Sequence, residues 1–214
     1  TVPDGGVRIA NLSYQYGDNE ESVLIDIDFE AAEGMTVGIL GRTGSGKSTL
    51  LKLIPRILDP EDDTLYLGGV DVRRYDLATL RAFVGMVPQD TFLFSATVRD
   101  NIGYGKDGAT DEEIREAARL STIDRDLADF PDGYETEIGE RGVTLSGGQK
   151  QRIAISRAIL ANPELLIFDD ALSAVDTETE ELILSRFLEL RQGKTNIIVS
   201  NRISTLAGAD RIYV

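Results

Sequence analysis

Apolar and polar residues alternate over the first part of the chain. In "SVLIDIDFEA", Val23, Ile25, Ile27 and Phe29 fall on one face and Asp26, Asp28 and Glu30 on the other, which is the period of a half-buried antiparallel strand. From "MTVGILG" the pattern changes to a short continuous apolar run, a glycine-rich loop and then "STLLKLIPRIL" at helical spacing, so a buried strand turns into a helix. "DDTLYLGGVDVRR" predicts a hairpin about Gly68 and Gly69, and "FVGMVPQD" a short strand that ends at a proline. Between about Thr97 and Asp129 the sequence is charged and helix-prone with no strand-like run, and "TDEEIREAARL" spaces Ile114, Ala117 and Ala118 as one helical face. Alternation then resumes with helix "GGQKQRIAISRAILAN", strand "ELLIFDD", helix "TETEELILSRFLELRQ" with Ile183, Phe187 and Leu190 on one face, and strand "TNIIVSN". The fold class expected is α/β, with a parallel core sheet, an N-terminal antiparallel β subdomain and an inserted α-helical subdomain. The whole of 1–214 is expected to form one domain: 1–90 the antiparallel subdomain and the first part of the core, 91–160 the helical subdomain, and 161–214 the rest of the core.

Composition narrows the chemistry. With 214 residues, 42% of them apolar, the chain has enough material for a sizeable core. It contains no cysteine and no histidine, so disulfides, thiolate metal sites and an imidazole base are excluded, and any base must be a carboxylate, Lys or Tyr. A formal net charge of −15 argues against a nucleic-acid partner, since polyanion binding needs clustered Lys and Arg. No apolar run approaches the roughly 18 to 20 residues that span a bilayer, and no signal segment opens the chain, so it reads as soluble. It starts at Thr1 without Met and stops at Val214 inside the strand-like "DRIYV". That predicts an excised domain whose parent carries further segments, membrane spans among them.

"GRTGSGKST" follows the buried strand and opens the helix, which is where the G-x-x-x-x-G-K-S phosphate loop has to stand. Gly41, Gly44 and Gly46 let successive backbone N–H groups turn onto an anion, with Arg42, Thr43, Ser45 and Thr49 in the same cradle. Lys47 would reach the β- and γ-phosphates of a nucleotide, and Ser48 would ligate Mg²⁺. "LLIFDD" supplies the second metal anchor: a buried strand ends in Asp169, placed to hold Mg²⁺ through its water shell, with Asp170 next toward a hydrolytic water. In "LSGGQKQR", Leu145 precedes Ser146, which can cap the following helix, and Gly147, Gly148 and Gln149 begin it. This is a second anion site. One phosphate tail does not need two cradles in one fold, so the natural use is in trans, over a nucleotide held by another copy.

The phosphate loop, "LSGGQ", "LLIFDD" and "LSAVD" in that order resemble the nucleotide-binding domain of an ATP-binding cassette (ABC) transporter, over essentially the whole chain. The resemblance implies a P-loop NTPase core, ATP and Mg²⁺ as ligands, and head-to-tail pairing with a second nucleotide-binding domain. It implies that Tyr16 in "LSYQY" stacks on adenine. Gln89 in "VPQD" would sense the γ-phosphate and the metal and couple to a transmembrane domain of the same parent chain, and Asp176 would lie in a loop that contacts the opposite site. "TEIGERG", Thr136 to Gly142, is similar to the stretch that in exporters touches the coupling helices, which would put the domain on the cytoplasmic face of a membrane. Tyr16 also suits a strand, Gln89 a turn after Pro88, and Asp176 a helix cap, on residue type alone.

Two positions depart from the family pattern. Asp170 stands where Glu is expected, and Asn201 where His is expected. Asp is one methylene short of the position from which Glu polarises water, and an asparagine amide neither titrates nor carries charge. The pattern resembles the degenerate half of a heterodimeric exporter: Asp170, Asn201 and Gln89 make a slow catalytic set, while an intact "LSGGQ" serves a partner that has the Glu and His. Asp and Asn would be an unusual pair for an engineered trap. The competing functions are a regulatory nucleotide-binding module without turnover and a soluble ABC-type ATPase; a simple P-loop kinase leaves "LSGGQ" without a purpose.

Overall fold

The structure, a computed structural model of the chain, describes residues 5–17, 21–139 and 142–214. In chain order the elements begin with β1 (Val7–Tyr14), β2 (Leu24–Ala31), β3 (Thr36–Leu40) and α1 (Lys47–Leu53), then β4 (Leu65–Leu67), β5 (Val70–Asp71), α2 (Leu77–Phe83) and β6 (Val84–Val87). The helical stretch follows as β7 (Ala96–Thr97), α3 (Val98–Gly103), α4 (Asp111–Leu120), α5 (Asp124–Leu127), β8 (Glu137–Ile138) and α6 (Gly147–Ala161). The chain closes with β9 (Leu165–Asp169), α7 (Thr177–Leu190), β10 (Thr195–Ser200) and β11 (Arg211–Tyr213). Two compact units emerge: one holds the chain up to Met86 with Pro163–Asp169 and Arg191–Val214, the other Val87–Asn162 and Asp170–Leu190.

The first unit contains two sheets. The core sheet has the order β11-β3-β10-β9-β6, and β3, β9, β10 and β11 run parallel. Every residue of β9 and β10 is buried, which is why these strands read as unbroken apolar runs in the sequence. The other sheet has the order β2-β1-β4-β5 and is antiparallel. Its β4–β5 hairpin turns on Gly68 (φ 55°) and Gly69 (φ 75°), both left-handed, as a two-residue hairpin needs. Leu12, Leu51, Leu53, Leu65, Leu67 and Ile197 form part of its shared core, all fully buried. Arg191, 2% exposed, ties strand starts together by donating to the carbonyl of Pro163 (2.8 Å), the carbonyl of Thr195 (3.2 Å) and Oδ1 of Asn196 (2.5 Å).

Three details of the pattern are corrected. In β2 it is Leu24 and Phe29 that are buried, while Ile25 is 69% exposed and Val23 is also exposed. Asp26 stands at φ 50° and the β1–β2 register shifts there, so a bulge reverses the parity on which the alternation rested. Helix α1 ends at Leu53 rather than running to Leu58, because Pro55 cannot continue the backbone hydrogen bonds. In α7, Ile183, Leu184 and Phe187 are buried but Leu190, in the last turn, is 46% exposed.

In the second unit α3 and α4 both pack on α6. Helix α4 has a full capping box between Thr110 and Glu113, with Asp111 and Glu112 also in its first turn, where they complement the helix dipole. Its apolar side is Ile114, Ala117 and Ala118. Helix α6 stops where Asn162 takes the left-handed conformation (φ 43°) ahead of Pro163. The sequence pattern missed one small feature here, the antiparallel pair β7–β8 with only two residues in each strand.

Candidate functional site

The loop between β3 and α1 owes its shape to its glycines. Gly44 (φ +84°) and Gly46 (φ +89°) are left-handed, and a Cβ on Gly46 would lie 2.8 Å from Cδ2 of Leu24 and 3.1 Å from the carbonyl oxygen of Val23. No side chain caps α1 and its first turn has no acidic residue, so its leading N–H groups are offered to an anion. Lys47 arches back over the loop, and its ammonium donates to the carbonyls of Gly41 (2.8 Å) and Arg42 (2.6 Å) and to Oγ of Ser45 (3.2 Å). Gly41, Arg42 and Ser45 are thus gathered around one lysine. Arg42, Thr43, Gly44 and Ser45 are exposed, Ser48 is partly exposed and Thr49 is buried.

Three strand ends meet along this edge. β3 leads into the glycine loop, β10 lies beside it and β9 beside β10. In register, Leu40 pairs with Ser200 and Val199 with Asp169. Asp169 therefore lies about 10 Å across the sheet from the end of β3, and Asn201, exposed, follows the strand between them. Ligands of parallel α/β sheets sit outside the carboxyl ends of the strands. Asp169 is itself 5% exposed. Below Asn201, Ser200 Oγ accepts the N–H of Arg202 (3.0 Å) and donates to Oγ1 of Thr205 (3.1 Å), which sets the turn that carries residue 201. Tyr16 is half exposed, bonded through its hydroxyl to Oγ1 of Thr49 (2.8 Å) and packed edge-on to Tyr14 at 5.4 Å. It stands at the first turn of α1, beside the glycine loop.

The second unit carries the remaining residues. Ser146 caps α6: its Oγ accepts the N–H of Gln149 (3.2 Å), and Oε1 of Gln149 accepts the N–H of Ser146 (2.9 Å). Leu145 is buried, whereas Ser146 and Gly147 are exposed. Gly148 is held by space, since a Cβ there would lie 2.8 Å from the carbonyl oxygen of Ala174. Gln151 clamps the same loop, donating to Ser173 Oγ (3.1 Å) and accepting from Ala174 N–H (2.9 Å). Asp176 caps α7 through the N–H of Thr179 (2.9 Å), and that backbone hydrogen bond holds its pKa below the ordinary value. Gln89 is exposed just beyond β6, and Asp170 is partly exposed at φ 51° just beyond β9. "TEIGERG" lies partly outside the described residues, at Glu140 and Arg141; Thr136 is buried and its carbonyl accepts the N–H of Val98 (3.0 Å).

A family model described as ABC transporter matches residues 24–173. The chain belongs to the ABC transporter family. YgaD of Bacillus subtilis (strain 168), provisionally named a multidrug export ATP-binding/permease protein, is 49% identical over 210 residues, covering 98% of this ABC chain and 36% of YgaD. A similarly named Staphylococcus aureus (strain NCTC 8325 / PS 47) protein is 44% identical over 213 residues, covering the whole of this chain and 37% of that protein. Among solved structures, a bacterial Atm1-family ABC exporter with ATP bound superposes with a TM-score of 0.94 at 42% identity, over 99% of this chain and 37% of that one. The ABC chain thus spans little more than a third of the relatives it matches. Among the described residues no helix is long and apolar enough to cross a membrane.

Some site features of the ABC chain were not visible in its sequence. The Gln151 clamp on Ser173 and Ala174 spans 22 and 23 residues, and only a polar residue on an otherwise apolar helix face hinted at it. An aromatic patch combines Phe92 and Tyr104, both strongly exposed, with Phe94 between them. Arg157 lies over Phe94 and Tyr104 and donates to the carbonyls of Asn101 (2.8 Å) and Phe92 (3.2 Å).

Proposed function

We propose that the chain is the ATP-binding domain of an ABC exporter, working at the cytoplasmic face of a membrane. The observation that carries this reading is the meeting of three strand ends at one edge of the parallel sheet, with the glycine loop and Lys47 after β3, Asn201 after β10 and Asp169 at the end of β9. Tyr16 would take the adenine, and Gly41 to Thr49 the phosphates. A serine hydroxyl and a buried carboxylate are hard oxygen donors, and no cluster of three or more acidic, His or Cys ligands occurs among the described residues. This donor set suits Mg²⁺, which keeps waters and shares substrate phosphates rather than occupying an all-protein cage. When bound, Mg²⁺ neutralises charge that develops on the phosphoryl group. Ser48 and Asp169, through water, would hold it, and Gln89 would add a ligand.

The own site is slow in this reading. Asp170 falls short of the attacking water and Asn201 holds a γ-phosphate without titrating. The domain pairs head to tail with a second nucleotide-binding domain that bears Glu and His, and Leu145 to Gln149 together with Asp176 close over that partner's nucleotide. Closure does work because ATP binds the closed pair better than the open one. The exposed Phe92–Phe94–Tyr104 patch, with the Thr136–Gly142 stretch, would meet the coupling helices of the transmembrane domain. The names and lengths of the relatives support such a fusion.

Equilibrium binding of ATP with and without Mg²⁺ tests the reading. Lys47→Ala is expected to lower affinity at least about tenfold, as loss of a charge-assisted contact would. Asp169→Asn should remove the Mg²⁺ dependence first. Wild-type affinity equal to that of Lys47→Ala would overturn it.

A further inference from the structure

We infer that Asp126 is a positioning residue for the Ser146–Gln149 turn, the strut that aims this turn at the nucleotide held by the partner nucleotide-binding domain. The inference rests on the trans role proposed above for that turn. Asp126 belongs to α5, a four-residue helix outside both nucleotide motifs. Its Oδ1 accepts from Nε2 of Gln149 (3.0 Å) and from Nη2 of Arg152 (3.1 Å), while its Oδ2 accepts from Nη1 of Arg152 (2.5 Å).

Each partner passes the constraint to one part of the turn. Gln149 is held at both ends of its amide, because Oε1 also accepts the Ser146 N–H. Arg152 donates from Nε to the carbonyl of Gly148 (3.3 Å). One carboxylate therefore reaches Ser146 through Gln149 and Gly148 through Arg152. A capping box alone fixes the first turn of a helix; the charge-assisted bidentate pair with Arg152 and the bond to Gln149 Nε2 add a further anchor to each of two long side chains. Burial pushes the Asp126 carboxyl up, and the hydrogen bonds from Arg152 and Gln149 outweigh it, so its pKa lies below the ordinary value.

The elbow before α5 is shaped to the same end. Thr122 is fully buried at φ 64°, an outlier for a β-branched residue. In that conformation its carbonyl accepts Nη1 of Arg152 (3.2 Å). Ser146 and Gly147 remain exposed, so the network leaves them available to a ligand while it commits the Gln149 side chain.

The test follows, by sedimentation, Mg-ATP-driven association of the chain with its own Asp170→Glu/Asn201→His variant, which carries the Glu and His of the proposed partner, beside ATP binding to the dilute chain. Asp126→Ala is expected to weaken association about tenfold or more, since a shift of about 1 Å in a positioned group is costly, and to change ATP affinity at the chain's own cradle less than about twofold, because that cradle shares no partner with Asp126. Adding Asp126→Ala to Gln149→Ala should cost less than Asp126→Ala costs alone, because the Gln149 route is already gone and only the Arg152 route remains, whereas a general loss of stability would add in full. If Asp126→Ala does not fold, Asp126→Asn, which keeps an acceptor for Gln149 and loses the charge for Arg152, is expected to weaken association by less. Unchanged association in either variant, or full additivity in the double variant, overturns the inference. Ser146→Arg separates the two levels: if it leaves association with that partner intact, or if the wild-type chain does not associate with that partner in Mg-ATP, the trans reading itself fails.

Discussion

On the slow-site proposal, placing Glu at position 170 and His at position 201 should raise turnover. The carboxylate of Asp170 stands about one carbon–carbon bond, ~1.5 Å, nearer the backbone than that of a glutamate. A displacement of about 1 Å at a reacting group costs on the order of a hundredfold. Asp170→Glu with Asn201→His is therefore expected to raise steady-state Mg-ATPase by about ten- to a hundredfold over wild type. The assay is run at concentrations that allow association, with Lys47→Ala as the blank. The structure attaches a cost to the gain. Residue 170 sits at φ 51°, where Asp is better tolerated than Glu because its short side chain can hydrogen-bond locally, and where an ordinary residue loses roughly 1–2 kcal/mol. A penalty of about 1 kcal/mol would lower the unfolding midpoint by about 2–4 °C in a chain of this size. The new histidine also introduces a group that titrates near pH 6.5, so activity should gain a pH dependence across that region. If the double variant stays at the blank while ATP still binds, the geometric reasoning about these two residues is refuted.

Tyr16→Ala should weaken ATP binding by about 5- to 150-fold, the value of one base–aromatic stack of roughly 1–3 kcal/mol; Tyr16→Phe, which drops only the bond to Thr49, should cost about 2- to 10-fold, and equal losses in the two would count against stacking. Gly148→Ala, which forces a Cβ against the Ala174 carbonyl, is expected to lower stability by about 1–3 kcal/mol in urea unfolding, where helix propensity alone would raise it by up to about 1 kcal/mol. Because the folded-state pKa of Asp126 is lowered, its contribution is present above the unfolded value and is lost as pH falls below it. Wild type should then lose more stability than Asp126→Asn between pH 5 and pH 2.5, as read from urea midpoints, and parallel curves would falsify that link. Thr122→Gly relieves a β-branched residue at φ 64° and is expected to be neutral or stabilising by up to about 1 kcal/mol; a loss above about 2 kcal/mol would mean that its side-chain packing outweighs the strain.

Elements whose signal is local were legible in the sequence. Strands β9 and β10 are buried along their whole length and read as apolar runs; the Gly68–Gly69 hairpin and the Ser146 cap rest on residues adjacent in the chain. Where a single residue resets the geometry, the pattern misled. The bulge at Asp26 turned Leu24 inward and Ile25 outward, and Leu190, in the last turn of α7, is exposed although it keeps the helical spacing. At the candidate site the glycine loop and Asp169 were legible because their chemistry is written in contiguous residues. The supports were not: Ser200 under Asn201, Gln151 on the Ser173–Ala174 loop and Asp126 on Gln149 and Arg152 are side-chain bonds, and across 22 to 26 residues in the second unit a sequence pattern has no period to record them.

The close approach of Gly148 to Ala174 bears on how such a domain can drift over generations. Side chains at the ends of β9 and β10 can be exchanged at a modest cost to the fold. The glycine answers to a neighbouring carbonyl oxygen. A lineage that no longer needed its signature to serve any nucleotide would still be punished for replacing Gly148, through misfolding rather than through lost turnover. Retention of that glycine among relatives is therefore weak testimony that the motif is still in use, and Ser146, exposed and, among the described residues, bonded by its side chain within its own cap, is the better witness.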